Sequence, residues 1–306
     1  MKAKRLFKKV LPISLWFLSI LNWVYAQDNS INNSIAIKVA DGIYMISDYG
    51  CNIGVMVGKE GLLIIDSGYE ETASKMDSSI LAISNLPLKY VLNTHMHFDH
   101  VGGNKKLAEN GAIIISNDFT RKHMLNVWDP GLIAGVKLPT IQPYPESYLP
   151  KICFNDYLKL YFNSDTIIAY EFKHCHTGGE VIYYFQKANV IYTGDIFLPD
   201  GFPGIMVFDG GTINGSIKAI GEILKLCNEK TIVIPGHGHL SNRQGLEDYH
   251  ELMINSRDII LKLINEGKTL DEIIKLNPIN NLYKGEVSGL TSEIFIHLVY
   301  QDLSKK

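Results

Sequence analysis

The fold is decided by one short segment, Asn93-Thr94-His95-Met96-His97-Phe98-Asp99-His100-Val101-Gly102-Gly103-Asn104. It places three histidines and an aspartate within six residues, in the pattern H-x-H-x-D-H, although the 306-residue chain has only ten histidines. The apolar run 88–92 before it predicts a strand, and the two glycines after it open a predicted helix. The cluster therefore lies on a tight turn between a strand and a helix, where side chains can converge on one point.

The residue types of this segment predict a metal site. His95 and His97 point to the same side of an extended stretch, because alternate residues share a face. Asp99 and His100 lie past the bend and point towards a neighbouring position. Imidazole nitrogens together with a carboxylate are the usual ligands of zinc. A group of solvated loop histidines is the alternative, and the spacing disfavours it.

Four further motifs occur in order along the chain. They are Asp66-Ser67-Gly68, His176-Thr177-Gly178-Gly179, Thr193-Gly194-Asp195 and Pro235-Gly236-His237-Gly238, and each follows a predicted strand. With the H-x-H-x-D-H segment, they resemble the motifs of the metallo-β-lactamase superfamily over roughly residues 35–241. The resemblance implies an α/β fold, the αββα sandwich, in which two mixed β-sheets pack face to face with helices outside.

The resemblance also implies a role for each motif residue. The first metal would be held by His95, His97 and His176, the second by Asp99, His100 and His237, and Asp195 would bridge the two. Asp66 would support a ligand histidine by a hydrogen bond, and a plain turn aspartate is the alternative. The expected cofactor is two Zn²⁺ per chain, although the ligand types alone also allow iron or manganese. The expected nucleophile is a shared hydroxide, and Asp99 would be the catalytic residue that orients it or relays its proton.

Residues 1–26 have the pattern of a cleavable signal peptide. Five lysines and arginines precede an apolar stretch that runs from Val10 to about Val24, and Ala26 ends a suitable cleavage site. The stretch is short for a transmembrane helix and is interrupted by Pro12 and Asn22, so a retained membrane anchor is the weaker alternative. The sequence thus predicts a periplasmic or secreted protein that has no membrane contact after cleavage.

Cleavage would change the formal net charge from −3 to −8, because it removes five basic residues and no acidic ones. An acidic surface disfavours nucleic acid as a partner, so we expect a small-molecule substrate instead. The remaining residues 27–306 suit one domain, with a core at about 35–241 and C-terminal helices over 242–306.

The proline-rich stretch 128–150 predicts an active-site flap, and the stretch 198–204 predicts a second wall. Five aromatic residues in or near these loops either line a cleft or cover a core edge: Trp128, Tyr144, Tyr148, Phe202 and Phe208. Three histidines on predicted helices are placed away from every motif, namely His123, His250 and His297. His174 and His239 lie beside motifs, but the motif matches fall on His176 and His237.

The four cysteines show no zinc-site spacing. Cys51, Cys153, Cys175 and Cys227 allow three complete disulfide pairings in an oxidising compartment, and the sequence favours none of them. Cys175 is expected to pack in the core rather than to act beside His176.

The expected activity is that of an exported zinc hydrolase that opens a cyclic amide or ester, with a β-lactam as the leading substrate. A lactonase, thioesterase or general esterase with the same site is the alternative, and a non-catalytic metal-binding protein is a remote one. The superfamily's broad-spectrum lactamases carry a cysteine where Asp195 stands. The lysine that binds a lactam carboxylate also has no counterpart, because Ile196, Phe197 and Leu198 are apolar.

Overall fold

The structure of the protein is a computed structural model that describes residues 36–47, 49–129, 132–133, 136–137, 140–283 and 290–304. The predicted signal peptide, residues 1–26, lies outside these ranges. None of the described helices combines the length and the apolar character that crossing a membrane requires.

The strands alternate with short turns, as the apolar runs predict. They are β1 Ile37–Ala40, β2 Ile43–Ile46, β3 Ile53–Gly58, β4 Gly61–Ile65, β5 Leu88–Leu92, β6 Ile113–Asn117, β7 Leu132–Ile133, β8 Val136–Lys137, β9 Ile152–Phe154, β10 Tyr157–Phe162, β11 Asp165–Lys173, β12 Gly179–Phe185, β13 Val190–Tyr192, β14 Ile232–Ile234 and β15 Ser241–Asn242. The helices are α1 Ala73–Ile83, α2 Phe98–Val101, α3 Asn104–Glu109, α4 Asp118–Met124, α5 Ile213–Leu226, α6 Arg243–Asn265, α7 Leu270–Leu276 and α8 Ser292–Leu303.

The strands form two mixed sheets. The first has the order β1-β2-β3-β4-β5-β6-β9, antiparallel up to β4 and parallel from β4 onward. The second has the order β10-β11-β12-β13-β14-β15, in which only β13 and β14 pair in parallel. Strands β7 and β8 form a separate two-stranded ribbon within the predicted flap.

The two sheets pack face to face around a shared apolar core. Leu63 and Leu92 of the first sheet meet Ile167, Tyr183 and Tyr192 of the second in this core, and all five are buried. A second core buries one sheet against α1 and α3, and a third buries the other against α5, α6 and α8. This layering confirms the predicted αββα sandwich.

The strand directions bring all five motifs to one edge of the sandwich. Parallel neighbours end at the same edge, so the residues that follow β4 and β5 meet there, as do those that follow β13 and β14. Strand β12 runs antiparallel to β13, so the residues before it reach the same edge. Segments far apart in sequence therefore come together at this edge, and the side chains on them can form one site.

All four cysteines lie in the described part of the chain and are unpaired. Cys51, Cys175 and Cys227 are buried, as the core assignment of Cys175 predicts. None of the three possible disulfide pairings is present, so stability rests on the packing of the three cores.

Candidate metal centre

The H-x-H-x-D-H segment occupies the turn between β5 and α2. His97 is the N-cap residue of α2, with extended backbone dihedral angles. Asp99 and His100 lie in the first turn of this short helix, where a carboxylate is stabilised by the partial positive charge of the helix N-terminus. The bend thus points the first two histidines of the motif to one position and its last two residues to the next.

One group of ligands converges around His97. Its Nδ1 lies 2.9 Å from Nε2 of His95 and 3.3 Å from Nε2 of His176. Oδ2 of Asp195 lies 4.0 Å from Nε2 of His95 and 3.7 Å from Nε2 of His176. These four side chains form a group that can hold one metal ion.

A second group lies on the other side of Asp195. Oδ2 of Asp99 is 3.3 Å from Nε2 of His237 and 3.6 Å from Nε2 of His100. Asp195 closes this group as well, because its Oδ1 is 3.4 Å from Nε2 of His100 and its Oδ2 is 3.4 Å from Nε2 of His237. The structure therefore brings all seven predicted ligands together, with Asp195 between the two groups.

The residues present fit metal ions at both positions. Four-coordinate zinc with nitrogen ligands at about 2.0–2.1 Å sets neighbouring ligand atoms about 3.3 Å apart, close to the separations found here. Nε2 of His100 and Oδ1 of Asp195 are buried and have no hydrogen-bond partner in the described part of the chain. Such buried atoms are costly unless they are bonded, and a cation between them would bond both.

The outer nitrogens of four ligand histidines have partners that fix each ring. The pairs are His95 Nδ1 with the Thr94 hydroxyl at 3.0 Å, His97 Nε2 with Asp209 Oδ2 at 3.0 Å, His100 Nδ1 with Asp66 Oδ2 at 2.8 Å and His176 Nδ1 with the Gly204 carbonyl oxygen at 2.6 Å. Glu180 Oε1 also lies 3.1 Å from His95 Nδ1. A partner on the outer nitrogen leaves the inner nitrogen directed at the metal. Glu180 and Asp209 are additions to the predicted site, since no motif contains them.

Asp66 lies fully buried behind the second ligand group. Besides contacting His100, its carboxylate accepts hydrogen bonds from the backbone N–H of Thr94 at 2.8 Å and from the Thr94 hydroxyl at 2.9 Å. The Tyr192 hydroxyl donates to it at 3.2 Å. Asp66 therefore joins β4, the motif segment and β13, which is more than a plain turn aspartate would do.

The two groups differ in their electrostatics. Burial, together with the neighbouring histidines, lowers the pKa of His95 well below its usual value, and burial lowers the pKa of His176 to about 4. Burial also opposes the charge of His237, but Asp195 and Asp99 outweigh it and raise the pKa of His237 to about 10. The pKa of His100 is likewise raised, because Cys51, Asp195 and Asp99 outweigh the effect of burial. Without metal, burial therefore favours the neutral forms of His95 and His176, whereas the carboxylates favour the protonated forms of His100 and His237.

His123 lies on a helix outside every motif, as predicted, but it contacts a residue that supports the first ligand group. Its Nε2 lies 3.2 Å from Oδ1 of Asp209, the residue that contacts His97. His174 and His239 stay outside the ligand groups: His174 contacts the Gly210 carbonyl oxygen, and His239 contacts Asp200.

The aromatic residues of the two loops divide between cleft and core. Trp128 lies over His97, with ring centroids 6.2 Å apart, and contacts Phe208 at 5.5 Å. Trp128 also lines an open cavity of about 310 Å³ beside α4. Phe202, by contrast, is buried and stacks on Phe295, so it covers a core edge. Within the predicted flap, Trp128 and Ile141 exchange backbone hydrogen bonds of 2.9 and 2.8 Å.

Comparison with known proteins agrees with this geometry. The sequence pattern described as the metallo-beta-lactamase superfamily matches residues 46–237. A hydroxyacylglutathione hydrolase from Pelagibacter ubique is 25% identical over 224 residues, which cover 73% of this chain and 77% of that protein. Metallo-beta-lactamase IND-1 from Chryseobacterium indologenes is 23% identical over 73% of this chain and 86% of its own length.

Solved structures show the same fold. The sec-alkylsulfatase Pisa1 from Pseudomonas sp. superposes with a TM-score of 0.66 at 16% identity, over 88% of this chain. This chain spans about half of that protein, since the match covers 50% of it. Metallo-beta-lactamase structures also match.

Proposed function

The chain belongs to the metallo-β-lactamase superfamily and is a hydrolase, and we propose that it is an exported two-zinc enzyme that opens a cyclic amide or ester. The observation that supports two metals is Asp195, whose carboxylate faces both ligand groups at 3.4–4.0 Å. A shared carboxylate reduces the repulsion between two cations and sets their separation.

Zinc ions at these two positions would activate a water molecule and polarise the scissile carbonyl group. The residues of the chain supply the remaining functions. Asp99 Oδ2 faces the second group and the Asp99 side chain is 15% exposed, so this carboxylate can accept the proton of the attacking water and pass it to the leaving group. The Thr94 hydroxyl, Asp209 and Asp66 would hold His95, His97 and His100 in their tautomers.

A β-lactam is the first substrate to test, because the predicted export would place the enzyme where β-lactams act. An ester or thioester is the second, and two observations favour it. The positions after Asp195 offer no cation for a lactam carboxylate, since Ile196 and Phe197 are buried in the core. One relative is named a hydroxyacylglutathione hydrolase, which is a thioester-cleaving activity.

The test is a substrate panel measured with the zinc-loaded protein and with Asp195→Asn as the matched control. The panel contains a carbapenem, a cephalosporin, an acyl-lactone and an acyl-thioester at the same zinc concentration. Turnover of either lactam by the wild type alone supports the leading substrate. Turnover of only the lactone or thioester replaces it, and no turnover of any member contradicts the proposal. Export is tested separately, by N-terminal sequencing of the periplasmic protein, which should begin at Gln27.

A further inference from the structure

Asn52 donates three hydrogen bonds to the loop that carries His237. Its side-chain Nδ2 donates to the carbonyl oxygens of Pro235 and Gly238, both at 2.9 Å. Its backbone N–H donates to the carbonyl oxygen of Gly236 at 2.7 Å. Asn52 immediately precedes β3 in the first sheet, whereas the loop follows β14 in the second. One residue of one sheet therefore holds the carbonyl groups on both sides of a ligand in the other.

The amide of Asn52 has a single orientation in this environment. The side chain is 3% exposed, and its Oδ1 accepts a hydrogen bond from the Ser47 hydroxyl at 2.7 Å. Its backbone carbonyl accepts another from the Tyr192 hydroxyl. A buried amide with both its oxygen and its NH₂ group bonded cannot rotate without leaving polar atoms unpaired. Asn52 and the loop carbonyl groups bonded to it, here called the Asn52 clamp, are therefore held in one arrangement.

His237 depends on such a clamp more than the other histidines do. Four of them have a protein partner on the outer nitrogen, but for Nδ1 of His237 we find none among the described residues. Its ring is 28% exposed, the most open of the ligand rings. The direction of the His237 ring is therefore set by the backbone of its loop. That backbone is held by Asn52.

The loop also approaches the bridging carboxylate closely. A Cβ atom at Gly236 would lie 2.0 Å from Oδ1 of Asp195, so only glycine allows this approach. Gly236 further donates its N–H to the Gly194 carbonyl oxygen at 2.8 Å. A small displacement of the loop would therefore change both the His237 position and its distance from Asp195.

We propose that Asn52 is a positioning residue for the second metal, because it holds loop 235–238 so that His237 faces Asp99 and Asp195. The inference rests on the proposed function, since it requires a two-metal centre. It assigns to Asn52 an effect on one metal and not on the other.

The test measures metal content and affinity rather than activity. The wild type, Asn52→Ala and Asn52→Asp are equilibrated with zinc against a graded chelator, and bound zinc is counted by elemental analysis. Asn52→Asp keeps the shape but replaces the two donors with a carboxylate that repels the carbonyl groups. Both variants should bind the first zinc like the wild type and the second about 10- to 100-fold more weakly. Ser47→Ala, which removes only the bond to Oδ1, should weaken the second zinc by less than either.

A matched control is Asn117→Ala, which removes another buried asparagine. Asn117 caps α4 by accepting from the Thr120 N–H at 2.9 Å, and it has no bond to loop 235–238. This variant should unfold at a lower temperature and still bind two zincs. Asn52 variants that bind two zincs like the wild type, or that lose both together, would overturn the role of Asn52. A wild type that binds only one zinc would overturn the two-metal proposal as well. The Ser47→Ala result decides the matter if Asn52→Ala fails to fold.

Discussion

The two ligand groups on either side of Asp195 are built in different ways. In the first, burial keeps His95 and His176 neutral, and these two and His97 each have a partner on the outer nitrogen. The second has two histidines with raised pKa values and two carboxylates, and one of these histidines is positioned through its backbone. The first is thus prepared for a cation before one arrives, whereas the second must exchange protons for it. We therefore expect the first metal to bind more tightly and to persist when the second is lost.

The strongest test of this difference is Asp195→Asn, which keeps the size of the side chain and removes its charge. The first group retains three histidines, whereas the second keeps one carboxylate and loses the one that offsets metal–metal repulsion. The variant should bind about one zinc and lose more than about 100-fold in turnover. Elemental analysis beside activity measures both. Two zincs with near-normal turnover would show that the carboxylate does not bridge.

The second test of this difference is the number of protons that each ligand group releases when its metal binds. His237, with a pKa of about 10 in the metal-free protein, carries a proton at neutral pH that the second metal must displace. His176, with a pKa of about 4, has none to give. Affinity for the second metal should fall about tenfold per released proton for each pH unit below about 10, whereas His95 and His176 add no such dependence to the first metal at neutral pH. Calorimetric zinc titration in buffers of different ionisation enthalpy counts the protons. Equal proton release in the two zinc-binding steps would show that the two ligand groups do not differ in protonation.

The same raised pKa affects the metal-free fold. The folded pKa of His237 lies above the unfolded value of about 6.5. Its contribution to stability is therefore complete below about pH 6.5 and is lost as the pH rises through about 10.

A paired exchange of supporting carboxylates gives a smaller effect and tests specificity. Glu180→Gln should weaken the first zinc by about 10- to 100-fold, because the carboxylate that polarises His95 is lost. Asp66→Asn should weaken the second by a similar factor through His100. Metal-free Glu180→Gln should remain about as stable as the wild type, since burial and Asp195 raise the pKa of Glu180 and thus favour an uncharged group at this position. Chelator competition provides the affinities. If Glu180→Gln weakened the second zinc and Asp66→Asn the first, the two supporting carboxylates would not act on separate metals.

The smallest expected effect belongs to His123→Gln. This change replaces the second partner of Asp209, three contacts away from the metal along the path through Asp209 and His97. A few-fold weakening of the first zinc alone is expected, with the second unchanged. His297→Ala on α8 is the control and should alter neither metal. An effect on both metals would indicate a general loss of packing instead.

The sequence predicts the ligands well because local motifs carry them. Each ligand lies within a short pattern at the end of a strand, and parallel strands bring such ends together. The supporting residues are harder to predict. Asp209 lies in a short turn with no pattern of its own and is 112 residues from His97. The sequence does contain a signal for Glu180, because a lone carboxylate at the start of the apolar strand β12 must be buried and needs a partner.

His123 shows that the distance of a residue from the motifs along the sequence does not decide whether it lies near the site. It lies in the last turn of α4, far in sequence from every motif, and reaches Asp209 only through the packing of α4 against β12. Asn52 is similar, since its partners lie more than 180 residues away and no spacing rule links them. Long-range hydrogen bonds of this kind depend on the assembled sandwich, and a single sequence does not encode them in a local pattern.

The ligands come from both halves of the sandwich. His95, His97, Asp99 and His100 follow a strand of the first sheet, and His176, Asp195 and His237 lie beside strands of the second. Each metal would therefore act as a cross-link between the sheets, and its binding energy would add to the stability of the fold. At a free zinc concentration one hundred times the dissociation constant, one site contributes about 2.7 kcal/mol. In a compartment where zinc is scarce, the same protein would unfold more readily, so its lifetime there would report the zinc supply.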